Sequence, residues 1–361
     1  MIKARDYLQK ISPYKPGKPI EEVARVLKLR GEIIKLASNE NPLGTSPLAL
    51  QAMRRTLRDS SYYPDDNCYY LKEKLAKRHG LTADNIFVGN GSVEILPLLT
   101  LAYLGPGTSG VASASAFIWF KIAVHISAAD ILEAPMKNHT HDLEAMRAAI
   151  RPDTRMVYIA NPNNPTGTMV TRDEVEAFLR RVPEHVLVVL DEAYREYIDD
   201  PSYPNGLDYI RQGKNIVILH TFSKIYGLAG VRVGYALAAP EVIASLSKLR
   251  ISFNVNRLSQ MAAIAALDDV RHVRRGKAVN EAGKAFLYEA YRKLGLFFLP
   301  TFANFVFVDF AKDSQLVFEA LQRRGVITRT IKEYGFPHAL RITIGTQEQN
   351  ERLIRTLKKV L

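Results

Sequence analysis

Five short apolar runs, Ile131–Pro135, Met156–Ala160, Val186–Leu190, Ile216–Leu219 and Val233–Leu237, recur between longer stretches of helical period. No other feature of the chain restricts its fold as much. A run of four or five apolar residues between polar turns reads as a strand buried on both faces. Ile86-Phe87-Val88 and a small-residue segment around Val111 add two further strand candidates. Buried strands that alternate with helices imply an α/β fold, with a largely parallel central sheet covered by helices on both sides.

Ligands in open sheets of this kind bind beyond the carboxyl ends of the strands, and four candidate strands run into polar residues there. Val88 leads into Gly89-Asn90-Gly91-Ser92 ahead of an apolar helix, Ile95–Tyr103. That is either a plain turn or an anion site made by free backbone N–H groups and a helix dipole. Ala160 leads into Asn161-Pro162-Asn163-Asn164-Pro165-Thr166-Gly167, and Leu190 into Asp191-Glu192-Ala193-Tyr194. A turn with an N-cap and a helix cap explain these two as well as a ligand does. Leu219 precedes Thr221-Phe222-Ser223-Lys224, with glycines at 227, 230 and 234 and Arg232 among them. Burial beside other cations lowers a lysine pKa toward neutrality and makes Lys224 a candidate nucleophilic amine. Thr221, Ser223 and Arg232 are the residue types that hold a phosphate. A surface lysine before a glycine-rich turn is the plainer alternative.

The rest of the chain frames this region. Residues 1–30 carry Pro13, Pro16, Pro19 and Gly17, which forbid a continuous helix, and read as an arm with a short helix, about Glu21–Leu29, whose apolar face is Val23, Val26 and Leu27. Lys35–Gly44 reads as a strand ending in a polar turn that is either an ordinary loop or a substrate-lining segment. In Phe117-Ile118-Trp119-Phe120, Trp119 and Phe120 read as core and Phe117 as a ring-stacking candidate. Beyond about residue 265 a long helical stretch, Arg271–Leu294, is followed by strands and helices in the order of an α+β lobe. The expected division is an arm at 1–30, a large domain at 31–265 and a small domain at 266–361.

Composition narrows the partners. The 361 residues are 47% hydrophobic and 24% charged, ordinary for a soluble globular protein. No apolar stretch reaches membrane-spanning length and the N-terminus lacks a signal-peptide core, so a cytoplasmic location is expected. The single cysteine, Cys68, excludes an intrachain disulfide and reads as packing. The histidines lack metal-site spacing, and no metal is expected. The net charge of +12 is spread among acids rather than gathered in runs, which suits phosphorylated or carboxylated small molecules better than nucleic acid or a membrane.

In their order, Gly91-Ser92, Asn164-Pro165-Thr166-Gly167, Asp191-Glu192-Ala193-Tyr194, Ser223-Lys224, Arg232 and Arg341 resemble the fold-type I aminotransferases, which use pyridoxal 5'-phosphate (PLP). The resemblance implies a large domain with the mostly parallel sheet plus a smaller α+β domain. Pro13-Tyr14-Lys15-Pro16-Gly17, Ala37–Gly44, Tyr63-Pro64-Asp65, Gly325–Arg329 and Leu340–Thr346 extend it, over nearly the whole chain, to the histidinol-phosphate aminotransferase family. By this resemblance Lys224 carries the cofactor and moves the proton. Asp191 pairs with the ring nitrogen, and Asn164 and Tyr194 bond the ring oxygen. Gly91, Ser92, Thr221, Ser223 and Arg232 hold the phosphate, Phe117 covers the ring, and Tyr63 reaches the partner subunit's cofactor in a homodimer. Arg341 takes the α-carboxylate of glutamate; Arg329 takes the phosphate of histidinol phosphate or the distal carboxylate of glutamate; Tyr14 and Asn41 lie near the substrate. The implied reaction is transamination of histidinol phosphate with 2-oxoglutarate. Val93, Ala114-Ser115-Ala116-Phe117 and Thr330 depart from the family's usual residues and bear on pocket detail. Aromatic amino-acid transamination is the alternative. A phospho-amino-acid decarboxylase and a non-catalytic PLP-binding regulator rank lower, the last because only about 30 residues precede the first strand.

Overall fold

The structure, a computed structural model, describes residues 2–3, 5–14 and 16–361, with Lys10 described in its backbone alone. Lys15 of the Pro13–Gly17 motif lies outside the described residues, as do Met1 and Ala4. Seven strands form the main sheet, in the spatial order Ile86–Gly89, Gly234–Leu237, Ile216–Thr221, Leu187–Asp191, Thr154–Ala160, Ser109–Ser113 and Asp130–Ala134. Gly234–Leu237 runs antiparallel to both neighbours, while the pairs from Ile216–Thr221 through to Asp130–Ala134 are parallel.

Side chains alternate between the two faces of a strand, and the core divides accordingly. Val157, Ile159, Val188 and Leu190 pack into one apolar cluster with residues of the helices Pro47–Thr56, Tyr69–His79 and Arg257–Ala266. Met156, Tyr158, Leu187 and Val189 pack into another with Ser92–Tyr103, Ile118–Ile126 and Pro240–Leu249. Burial on both faces is why these strands are apolar throughout. Cys68 is buried in the first cluster, and burial pushes its thiol up to about 12.

The C-terminal region builds a four-stranded antiparallel sheet, ordered Phe297–Leu299, Phe305–Asp309, Phe336–Thr343 and Arg329–Ile331. Its core is a third cluster, in which Val306, Leu340 and Ile342 meet Leu287 and Tyr291 of the helix Val270–Lys293. That helix, about 36 Å long at 1.5 Å per residue, starts at Asp269, which accepts its His272 N–H and also the Ser46 hydroxyl at 2.7 Å. Gly276 lets the helix lie against the turn after Ser223, because an added Cβ would meet Ile225 Cδ1 at 2.9 Å. The short strand Ile34–Lys35 pairs with Val326–Ile327, and the chain from Leu36 onward is tied to the same lobe by the Thr343 N–H bond to the Leu36 carbonyl.

In the arm, the helix is Ile20–Leu27, and only part of its expected apolar face is covered: Val23 is buried, whereas Val26 is 63% exposed. Val23 and, partly buried, Leu27 pack against Ala37 and Ile327, whereas Val26 lies on the uncovered side. The helix expected from Ile95 begins earlier, at Ser92. Among the described residues, no helix is long and apolar enough to cross a membrane.

Candidate active site

Three neighbouring parallel strands, Thr154–Ala160, Leu187–Asp191 and Ile216–Thr221, end together, with Asp191 in register beside Ala160 and Leu219. A cavity of about 390 Å³ opens at these ends and extends to the C-terminal sheet. It brings together Tyr14, Ser92, Phe117, Asn164, Asp191, Tyr194, Thr221, Ser223, Lys224, Arg232, Arg329 and Arg341 from across the chain.

Asp191 forms part of the floor and is buried. Burial disfavours its charge and raises its pKa, and two donors act in the opposite sense. Tyr158 donates its hydroxyl to Oδ2 at 2.8 Å, and the Ala193 N–H reaches Oδ1 at 3.1 Å. Tyr158 is itself fully buried, stacked on Phe120 with ring centroids 4.9 Å apart. Its phenol is pushed well above its ordinary range by burial, so it serves Asp191 as a donor. Sequence reasoning passed over Tyr158 as one more strand residue. The available signal was a hydroxyl within an apolar run, on the same strand face as Ala160 at the strand's end.

Lys224 sits beside Tyr194, its Nζ 5.6 Å from the ring centroid, and it donates to the Ser38 carbonyl at 3.4 Å. Burial lowers its pKa to about 8; Arg341 and Arg232 add to this, and Glu40 and Asp191 oppose it. The Tyr194 hydroxyl accepts from Asn39 Nδ2 at 2.9 Å, so its own proton is available to the cavity; burial holds the phenol up at about 12. Asn39 occupies the left-handed region, φ +58°, which asparagine tolerates better than most residues. Thr343 Oγ1 accepts its N–H, and Asn304 donates to its carbonyl. Asn41, the expected substrate neighbour, turns away from the cavity instead: its Nδ2 donates to the Ile225 carbonyl at 2.6 Å and lies 3.3 Å from His272 Nε2. Two residues along the same turn, Asn39 is the asparagine that lines the cavity.

An anion cradle closes one end. Gly91, at φ +77°, caps the helix Ser92–Tyr103, so the first free N–H groups of that helix lie at the cavity. A Cβ at Gly91 would overlap the Arg232 guanidinium, and one at Gly234 would overlap the Ser92 backbone nitrogen. Arg232 also donates to Ser223 Oγ at 3.2 Å. Helix N–H groups, two hydroxyls and a guanidinium converging over a glycine form a donor set for a phosphate dianion.

At the other end, Arg329 and Arg341 stand opposite one another on adjacent antiparallel strands. Like charges in such positions are destabilising, so this pairing is explained by what it binds rather than by what it adds to the fold. Arg341 donates from Nη1 to Asn164 Oδ1 and from Nη2 to the Ala37 carbonyl, both at 2.6 Å, while its buried Nε has no partner among the described residues. Arg329 donates from Nη2 to Glu333 Oε1 at 2.6 Å, and its guanidinium lies 5.7 Å from the Tyr14 ring centroid. Tyr14 in turn meets Trp119 at 5.8 Å. Trp119, expected in the core, packs against it only in part and lines the cavity with Phe117, while Phe120 is fully buried. The helix Ile118–Ile126 begins just after Phe117, and its Trp119 lines the cavity. Tyr63 lies elsewhere, 78% exposed and stacked on Phe253.

The sequence pattern of the family described as Aminotransferase class I and II matches residues 31–357. Histidinol-phosphate aminotransferase of Moorella thermoacetica is 50% identical over 360 residues, covering 99% of this chain and 93% of that protein. This chain belongs to the histidinol-phosphate aminotransferase family. Histidinol-phosphate aminotransferase 2 of Pseudomonas aeruginosa is 48% identical over 359 residues, covering 99% and 97% of the two chains. Among solved structures, histidinol-phosphate aminotransferase from Sinorhizobium meliloti in complex with pyridoxal-5'-phosphate superposes with a TM-score of 0.92 at 28% identity, over 100% of this chain and 98% of that one. Aspartate aminotransferase from Thermus thermophilus, at 22% identity and a TM-score of 0.85, shares the fold. The fold-type I architecture expected from the sequence is the one observed. The cavity also fits the family's cofactor on its own chemistry, with a phosphate cradle at Gly91, an amine of lowered pKa and a buried carboxylate for a ring nitrogen.

Proposed function

We propose that this protein catalyses PLP-dependent transamination of L-histidinol phosphate with 2-oxoglutarate, giving imidazole acetol phosphate and L-glutamate, a step of histidine biosynthesis. The observation that carries this reading is the facing pair Arg329 and Arg341 at one end of a cavity whose other end already holds an anion cradle. Glutamate has two carboxylates and histidinol phosphate one phosphate, and guanidinium forks accept either group.

PLP, when bound, supplies the carbonyl that takes up the substrate amine and the ring that accepts the electron pair left when the substrate Cα–H bond breaks. Gly91, Ser92, Thr221, Ser223 and Arg232 would hold its phosphate, Asp191 its ring nitrogen, Asn164 and Tyr194 its ring oxygen, and Phe117 one face. Lys224 anchors it, and as a free amine takes the proton from substrate Cα and returns it on the other side of the reaction. A lowered pKa suits both tasks, because only the neutral amine attacks or abstracts. Arg341 would bind the α-carboxylate of glutamate, Arg329 the distal anion, and Tyr14 would border the substrate ring. Asn41 acts at one remove, by holding the Ile225 carbonyl beside Lys224. Tyr63, exposed and outside this cavity, would reach the partner subunit's site in a homodimer. The division into an arm at 1–30, a large domain at 31–265 and a small domain at 266–361, and a cytoplasmic location, belong to the same proposal.

Aromatic amino-acid transamination is the second reading. The Tyr14 and Trp119 rings beside Arg329 would pack against an uncharged aromatic side chain. A half-reaction decides between them: the PLP-loaded protein is mixed with histidinol phosphate and no oxo acid. One equivalent of imidazole acetol phosphate per site is expected. No product with histidinol phosphate, but aminated cofactor with phenylalanine, would move the function to the second reading.

A further inference from the structure

We infer that Glu333 is an internal counterion for Arg329 and sets how strongly the site prefers substrates with a distal anion; this rests on the reading of Arg329 given above. Arg329 is nine-tenths buried and lines the cavity, so its charge needs an acceptor whenever the substrate brings none. Glu333 provides it from outside the cavity. It lies in the short turn Lys332–Tyr334 that joins the strands Arg329–Ile331 and Phe336–Thr343, four residues beyond the arginine, and is about one-third exposed. Its Oε1 takes Arg329 Nη2 at 2.6 Å.

Three consequences follow from that placement. A substrate with an uncharged ring leaves the ion pair intact and strands no buried charge. A substrate carrying a phosphate must bind a guanidinium already paired with a carboxylate, and so meets that carboxylate's repulsion. Arg341, in contrast, is held among the described residues by neutral oxygens alone, those of Asn164 and Ala37, so no carboxylate competes there with a substrate's. The two arginines thus differ: one is committed to an anion, and the other is tuned between anionic and neutral groups by a residue that does not itself line the cavity.

Glu333→Gln separates charge from geometry, because the amide oxygen can still accept from Arg329 Nη2 while the negative charge is gone. Trp119, the protein's one tryptophan, lies within the cavity against Tyr14 and reports on the site without turnover. The experiment titrates the PLP-loaded protein with inorganic phosphate, read by Trp119 fluorescence, and separately measures kcat and KM for histidinol phosphate and phenylalanine. Glu333→Gln is expected to tighten phosphate binding by about fivefold, the upper end of what one partly exposed charge interaction contributes. It should lower KM for histidinol phosphate by a similar factor, with kcat within about twofold, and leave phenylalanine unimproved. Glu333→Asp, which keeps the charge, should bind phosphate within about threefold of the parent. Phosphate affinity that is unchanged or weaker in Glu333→Gln overturns the inference, as does Glu333→Asp tightening phosphate as much as Glu333→Gln does. Because phosphate binding is read without turnover, absence of activity on histidinol phosphate would sink the proposed reaction and leave this result standing.

Discussion

Replacing Tyr158 by phenylalanine removes one oxygen from the floor of the cavity and little else, because the stacked contact with Phe120 depends on the ring alone. What is lost is the 2.8 Å donor to Asp191 Oδ2. A hydrogen bond to a charged acceptor contributes about 1.5–3 kcal/mol, which corresponds to about 10- to 150-fold in an equilibrium constant. With Ala193 N–H as its remaining donor among the described residues, the buried carboxyl of Asp191, already raised by burial, rises further, and its charge is held less firmly. PLP with a protonated ring nitrogen should therefore bind Tyr158→Phe about 10- to 150-fold more weakly at pH 7. The sign with pH also follows: raising the pH ionises Asp191, so the defect should shrink from pH 6 to pH 9. Equilibrium dialysis of the cofactor-free protein against PLP across that range measures both. An affinity within twofold of the parent, or a defect that grows with pH, would refute the claim that Tyr158 sustains the Asp191 charge.

Other outcomes follow from the same geometry. Lys224, with its pKa lowered to about 8, binds fewer protons in the folded than in the unfolded chain between about pH 8 and its ordinary value near 10.5. Stability of the cofactor-free protein should therefore rise with pH across that window, and Lys224→Met should flatten this slope in chemical denaturation. The rate of PLP uptake should rise with pH and level off above about 8, and Lys224→Ala should abolish the visible absorbance of lysine-bound cofactor. Asp191 has the opposite linkage. Its raised pKa contributes stability that is lost as pH rises through that value, so Asp191→Asn should melt higher than the parent at pH 8 without cofactor. It should also bind PLP less tightly; a lower melting temperature would show that its donors outweigh burial. Gly91→Ala would force a Cβ onto the Arg232 guanidinium and strain a backbone at φ +77°, so phosphate release of PLP by competing inorganic phosphate should become easier by at least about tenfold.

Much of the fold was legible because burial on both faces leaves a strand few options. The runs at 156–160, 186–190 and 216–219 are apolar throughout, and each became a central strand. Asp191, Thr221 and Lys224 were legible as cavity residues for the complementary reason: polar groups directly after such strands lie at the sheet's carboxyl edge. The rest depended on distances that a one-dimensional pattern does not carry. Asn39 and Asn41 are two residues apart on one turn, and only the left-handed backbone at Asn39 decides which of them faces Tyr194. Trp119 is the residue next to the core residue Phe120 but faces the cavity. Tyr158 was concealed by its apolar neighbours. The Arg329–Glu333 pair needs the turn before Phe336 to fold back, and the opposition of Arg329 and Arg341 needs the strand register.

The most direct test of the account compares specificity constants of the PLP-loaded protein for histidinol phosphate and for phenylalanine, each with 2-oxoglutarate, alongside Arg329→Gln. The account predicts a kcat/KM for histidinol phosphate at least about tenfold above that for phenylalanine, falling by about 100-fold in Arg329→Gln, as loss of a charged, buried bond requires, while the phenylalanine value changes little. A parent enzyme that favours phenylalanine, or an Arg329→Gln variant that keeps its histidinol phosphate activity, would contradict it.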